Sequence, residues 1–365
     1  MKWKDKITLL VLALFIGGFS LWGTLAPDQA QSQAERRPLA QRPQLTLESV
    51  SSGKFMSQWE EYALDQFPLR DGFRGLKAWI ALDLLGQKDV NDIYRVGESV
   101  SKLEYPLDLE SVDYAASRFR FIYERYLEES QSKIYLAIIP DKNYFLAPEG
   151  GYPALDYQEL VQSLTSQMEY AQYLDIFPLL EGQDYFNTDP HWRQEKILDI
   201  AQYLNKAMGA HWEGDFQENR AEGVYRGAYW GQLGLPLAAE DICWMTSEVL
   251  DGCRVYDYET QAWQEVVYAL EQLEGADPYQ LYLYGSKSLL TIENPAGDPD
   301  KELIIFRDSF GSSLAPLMVE GYSKITLVDI RYISPMILDR FLEFHGQDIL
   351  FLYSATVLNN SVTLK

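Results

Sequence analysis

The feature that most constrains this chain is a run of apolar segments near its C-terminus, each followed by a helical pattern. Residues 302–306 (Glu-Leu-Ile-Ile-Phe) read as a strand, 311–320 as a helix, 324–329 as a strand, 334–344 as a helix and 348–353 as a strand. Apolar on both faces, such strands need cover from both sides. Strands joined by helical crossovers must run parallel, so the series predicts a doubly wound parallel α/β sheet. Residues 133–139 (Lys-Ile-Tyr-Leu-Ala-Ile-Ile), stopped by Pro140, repeat the pattern.

The rest of the chain reads less sharply. Helical spacing covers 51–67, 70–85, 109–129, 157–170, 195–208 and 262–273, and strands are expected at 93–96, 173–177 and 289–292. Residues 210–260 read as an irregular insertion that holds both cysteines.

The N-terminus carries Lys2, Lys4 and Lys6, then an uncharged, largely apolar run from Ile7 to Ala26. Twenty helical residues span about 30 Å, enough for a bilayer core. The basic flank keeps the N-terminus cytoplasmic and sends the rest of the chain outside. We read 1–26 as a signal anchor and transmembrane helix, with a cleaved signal peptide as the competing reading. Gln, Pro and Arg enrich 27–50, which reads as a linker. The α/β domain then spans 51–365.

A net charge of −23 disfavours nucleic acid as a partner, because a polyphosphate needs a cationic footprint. Only His191, His211 and His345 are present, without ligand spacing, so no metal site is expected. No cofactor motif appears. The 25 Tyr and 9 Trp could present flat faces to a carbohydrate, but packing the core and its rim is the plainer account. Nine residues separate Cys243 from Cys253. In an exported domain that loop could close as a disulfide, which is the expectation carried forward, with two buried thiols as the alternative.

Two segments carry chemistry. Ser309, in Arg307-Asp308-Ser309-Phe310-Gly311, falls where a strand turns into a helix, and the unpaired N–H groups there could hold an oxyanion. Thr188-Asp189-Pro190-His191-Trp192 sets a histidine two residues after a carboxylate able to fix its tautomer. Taken singly, each also reads as ordinary helix capping.

Together these segments resemble the DHHW family, named for an Asp-His-His-Trp motif. The resemblance extends to Glu35-Arg-Arg-Pro-Leu-Ala40, Ser52-Gly53-Lys54-Phe55, Asp65-Gln-Phe-Pro-Leu-Arg-Asp71, Tyr225-Arg-Gly-Ala-Tyr229, Arg307-Asp308-Ser309-Phe310 and Val328-Asp-Ile-Arg-Tyr332. That family is similar to alginate O-acetyltransferases of the AlgJ/AlgX type, with a permuted SGNH-hydrolase-like domain. The resemblance implies Ser309 as nucleophile, His191 as base and Asp189 as its orienting carboxylate. Phe310, Gly311, Asn359 and Asn360 are the candidate oxyanion donors. The implied activity is O-acetylation or deacetylation of an envelope or exopolysaccharide glycan, outside the cytoplasm, with a membrane-bound O-acyltransferase as partner. The chain departs from the motif at Pro190, which stands where the family has its first histidine, and at Arg193 after the Trp. A non-catalytic glycan-binding or assembly protein on the same fold is the rival reading.

Overall fold

The apolar N-terminal run forms one helix, α1 (Trp3–Leu25), in the computed structural model, which describes residues 3–32 and 34–365. Lys2 of the basic flank lies outside the described residues. None of the α1 residues is buried, and by length and composition the helix could cross a membrane. A signal anchor and a signal sequence meet that test equally.

The chain divides into two units, Met1–Asn91 with Trp230–Leu237, and Asp92–Tyr229 with Ala238–Lys365. In the first, α2 (Lys54–Asp65) and α3 (Arg70–Trp79) follow one another, and α3 continues as a π-helical turn, Ile80–Leu84. The stretch expected to be a linker is tied down here. Glu35 pairs with Arg70 at 2.6 Å and Arg74 at 3.1 Å, and Arg37 grips Asp65 with two hydrogen bonds of 2.6 and 2.8 Å. Composition reads such a stretch as solvated, because the partners that order it lie some 30 residues further on.

The second unit opens with a hairpin, β1 (Ile93–Val96) and β2 (Ser99–Lys102), then α4 (Leu109–Ile122), β3 (Ile134–Ile139), α5 (Lys142–Gly150), α6 (Tyr157–Gln167) and β4 (Gln172–Tyr173). After α7 (Leu198–Ala207) come β5 (Gln217–Tyr225), β6 (Glu240–Thr246), β7 (Arg254–Asp257), β8 (Ala262–Gln264) and β9 (Leu289–Glu293). The last elements are β10 (Glu302–Arg307), α8 (Gly311–Met318), β11 (Lys324–Val328), β12 (Asp348–Ser354) and α9 (Ala355–Asn359).

Eight strands form the central sheet in the order β8-β7-β9-β11-β10-β12-β3-β4. From β11 to β4 neighbours run parallel, with Leu303 opposite Asp348 and Ile349 opposite Ile134. The other three strands pair antiparallel on one edge. The sheet is therefore mixed and mostly parallel, and the expected α/β architecture holds. Alternation along β10 explains its layering. Leu303 and Ile305 pack with Ile200 and Leu204 of α7 and Leu314 and Leu317 of α8. Ile304 and Phe306 pack with Phe119 of α4 and Leu160 of α6 on the opposite face.

Several local expectations are corrected. Residues 262–273 form no α-helix. Ala262–Gln264 pairs with β7 as a strand, Leu270–Glu274 is a 3-10 turn, and Val267, Tyr268 and Ala269 are buried consecutively, where a helix would bury one face. The insertion at 210–260 is not irregular, because β5 and β6 form an antiparallel pair with a register shift between Ala221 and Tyr225. Residues 334–344 make a 3-10 segment, Pro335–Arg340. Of 173–177 only Tyr173 lies in a strand, β4, and Phe177 opens a 3-10 turn. Both cysteines are free and buried, so the disulfide is absent. Cys243 donates to Glu218 and Cys253 to the Val249 carbonyl, and burial pushes both thiols up to about 12.

Candidate active site

Parallel strands end together on one edge of the sheet, where ligands of open α/β folds bind. At the end of β10 the chain turns through Asp308, Ser309 and Phe310 into α8. The buried Asp308 carboxylate builds this turn. Its Oδ1 accepts the Phe310 N–H at 3.1 Å, and its Oδ2 accepts the Ser354 N–H at the end of β12 at 2.8 Å. The Gly311 N–H closes onto the Asp308 carbonyl at 3.2 Å, and a Cβ at Gly311 would sit 2.8 Å from that of Arg307. Ser309 is left partly exposed, and its own N–H makes no hydrogen bond among the described residues.

Asp189 and His191 reach this turn from the segment between β4 and α7. Asp189 is buried, and its Oδ1 accepts both the His191 N–H, at 3.1 Å, and the ring Nδ1, at 2.6 Å. Its Oδ2 accepts the Ala228 N–H at 2.7 Å. His191 Nε2 lies 2.7 Å from Ser309 Oγ. An ionised carboxylate can only accept, which assigns the ring proton to Nδ1 and leaves Nε2 to accept the serine hydroxyl. The imidazole is stacked on Tyr279, centroids 4.0 Å apart, and also lies against Phe310 at 4.8 Å. Ser313 ties this wall together, receiving Trp192 Nε1–H at 2.8 Å and meeting the Tyr279 hydroxyl at 3.0 Å.

The turn that presents Asp189 is gripped by opposite charges. The buried Lys142 ammonium, at the start of α5, donates to the carbonyls of Val100 and Phe186, both at 2.6 Å, and of Asn187 at 2.7 Å. The Glu240 carboxylate accepts the N–H groups of Asn187 at 2.6 Å and Thr188 at 2.9 Å, and the Thr188 hydroxyl at 2.7 Å. Thus the carbonyls of one short segment face a cation and its amides face an anion. Burial pulls the Lys142 ammonium down to about 7, with Glu240 and Asp189 acting against that shift. Gly227 completes the frame. Its N–H donates to Thr188 Oγ1 at 3.0 Å, and a Cβ there would fall 2.2 Å from the Thr188 carbonyl oxygen.

The structure therefore brings Asp189 and His191 together with Ser309, which lies 120 and 118 positions further along the sequence. It treats the oxyanion candidates differently. The Phe310 and Gly311 N–H groups are engaged with Asp308. The Asn359 amide donates to the Pro106 carbonyl at 3.1 Å and accepts from Asp108 N–H at 2.7 Å, so its polar atoms tie α9 to the start of α4. The Asn360 N–H caps the last turn of α9 at Val357. Lys142, Glu240, Tyr279 and Ala228 were not singled out by sequence. The Tyr225–Tyr229 block was visible as a resemblance, but nothing in it announces that a backbone amide would serve the carboxylate.

No family model matches the sequence, and no curated protein matches it. Solved structures do. A DHHW family protein from Eubacterium siraeum superposes with a TM-score of 0.59 at 17% identity, over 76% of this chain and 97% of that one. Bacillus cereus PatB1, solved with a sulfonyl adduct, gives 0.58 at 17% identity, over 73% and 97%. The O-acetyltransferase domain of Pseudomonas putida AlgJ aligns more loosely, at 0.43 and 12% identity, over 68% and 84%. This chain thus has the α/β fold of the DHHW family protein and of PatB1, an SGNH-like fold around a mixed, mostly parallel sheet.

Proposed function

We propose that this chain is an exported acyl-transfer protein in which Ser309 is the nucleophile, His191 the general base and Asp189 the group that fixes the imidazole. The observation that carries the reading is the hydrogen-bonded row from Asp189 to His191 to Ser309, at 2.6 and 2.7 Å. Ser309 Oγ attacks the carbonyl of an acetyl ester, and its proton passes to His191 Nε2. The Nδ1–H stays on Asp189, whose charge supports the imidazolium. The Ser309 N–H is the backbone donor available to the oxyanion. Collapse expels the alcohol, which takes the proton back, and leaves the acetyl group on Ser309. A sugar hydroxyl or water then repeats the steps in reverse.

The substrate class we assign is an O-acetylated cell-envelope or exopolysaccharide glycan. We read α1 as an uncleaved anchor with the catalytic unit outside the cytoplasm. An acetyl donor there has to come through the membrane, so a membrane-bound O-acyltransferase is the partner we expect. PatB1 has been captured with a sulfonyl adduct, and the same class of reagent tests this chain.

A sulfonyl fluoride or fluorophosphonate should label Ser309, and the protein should hydrolyse a small acetyl ester. Ser309→Ala should abolish both, with a loss of about 10³-fold or more and an unchanged melting temperature. Full activity in that variant would mean another nucleophile.

A further inference from the structure

An apolar stripe on α3 stands largely exposed among the described residues. Phe73, Leu76 and Ile80 recur at spacings of three and four, which sets them on one helix face, with Leu84 at the end of the π-helical turn and Leu69 at the N-cap. Leu69 is 60%, Leu76 49% and Leu84 65% exposed. A neighbouring face is the one that packs. Arg70 and Arg74 reach Glu35 there, and Ala78 and Ala81 are buried. The register of the helix is therefore held by its polar side, and the apolar stripe is turned outward by those same contacts.

We propose that residues 70–84 lie flat in the membrane–water interface as a second lipid contact beside α1; the proposal rests on reading α1 as a membrane helix. The occupant is lipid because of what adjoins the stripe. Phe19 of α1 stacks on Phe67, centroids 5.4 Å apart with planes 8° off parallel, and meets Phe73 edge-on at 5.7 Å. Phe73 is thus both part of the stripe and part of the cluster with α1, a helix that is uncharged from Ile7 onward and has no buried residue. Whatever solvent takes α1 continues along the stripe. Trp79 is 49% exposed at the stripe's margin, and an indole is suited to the headgroup level. Lys77, also exposed, can lay its stem on the apolar face with its ammonium in water. Because Arg70 and Arg74 are paired with Glu35, apolar burial drives the contact, with no demand for anionic lipid.

The test uses the full chain in phosphatidylcholine vesicles, with nitroxides at Leu76→Cys, Leu84→Cys and, as a polar control, Asp71→Cys. A label at Phe15→Cys reports α1. Collisions with dissolved oxygen, which concentrates in lipid, are compared with those of a water-soluble nickel chelate. We expect the oxygen-to-nickel ratio at 76 and 84 to exceed that at 71 several-fold, and to be unchanged by added anionic lipid. A label at 15 in lipid with 76 and 84 as wet as 71 overturns the proposal and leaves the α1 reading standing. Labels at 76 and 84 shielded from both reagents point to a protein cover, and that also overturns it. A label at 15 that is wet overturns the α1 reading and the proposal together.

Discussion

The sheet unit and the N-terminal unit place their apolar residues in opposite ways. In the sheet unit Phe306, Phe351, Leu317 and Leu204 are wholly buried, and so are tyrosines 225, 282, 322 and 353. Among the described residues of Met1–Asn91 the buried hydrophobic side chains are Leu39, Tyr62, Ala78, Ala81 and Val90, while Leu47, Leu64, Leu69, Leu84 and Leu85 stand mostly exposed. The sheet unit coheres by burial, and inside it each polar group has to find partners in a low-dielectric interior. The N-terminal unit coheres through ion pairs around Glu35 and Asp65 that are partly buried but still open to solvent at their edge. An equal chemical change should therefore be costly in one unit and mild in the other.

Lys142→Met is the strongest test of that contrast. It keeps the bulk but takes the ammonium from the carbonyls of Val100 and Phe186 and leaves that of Asn187 only the Val100 N–H, at 2.9 Å. We expect a loss of about 3–5 kcal/mol in unfolding free energy, as for breaking a buried charge from its partners, together with slower labelling of Ser309. Calorimetry and probe kinetics measure the two. A melting temperature equal to that of the parent would break the comparison.

Glu104 gives a smaller, pH-dependent effect. Burial first, and then the neighbouring Asp141 carboxylate, push its carboxyl up to about 7 from an ordinary 4.5. Because the folded state holds the proton more tightly, the stabilisation is complete below about pH 4.5 and is lost as pH rises through about 7. The difference amounts to about 3 kcal/mol at most. Glu104→Gln should flatten this fall in denaturant titrations between pH 4.5 and 7. A residual slope of the same sign should remain from Asp141, which burial raises to about 6. An unaltered slope in the variant would mean that Glu104 is solvated.

Glu35→Gln should do least. The Glu35 ion pairs sit at the edge of solvent, so about 1 kcal/mol is expected. Hydrogen exchange should quicken along α3 and stay unchanged in β10 and β12. Faster exchange in those strands would sharpen the comparison into a coupling between the units.

The site was legible where local chemistry is carried by a short stretch. Asp189 and His191 are two residues apart, and Ser309 sits at a strand end bounded by Asp308 and Gly311, so their types and settings could be read directly. The grip on Asn187–Asp189 was not legible, since Lys142 and Glu240 act from 45 and 53 positions away on main-chain atoms, which every residue possesses. The helix expected at 262–273 failed for a related reason. Its residues favour a helix locally, but pairing with β7 and the burial of Val267, Tyr268 and Ala269 together decide otherwise.

By itself the sequence determined the layered α/β core, because a strand apolar on both faces has to be covered twice. It also determined a helix at the N-terminus long and apolar enough for a bilayer, because length and uncharged composition suffice for that. Tertiary structure alone decided that the sheet carries three antiparallel strands at one edge, that Cys243 and Cys253 stay apart, and that Asp189, His191 and Ser309 meet. Each of these depends on which distant backbone groups come to lie side by side, and hydrogen bonding between main-chain atoms leaves no mark on residue identity.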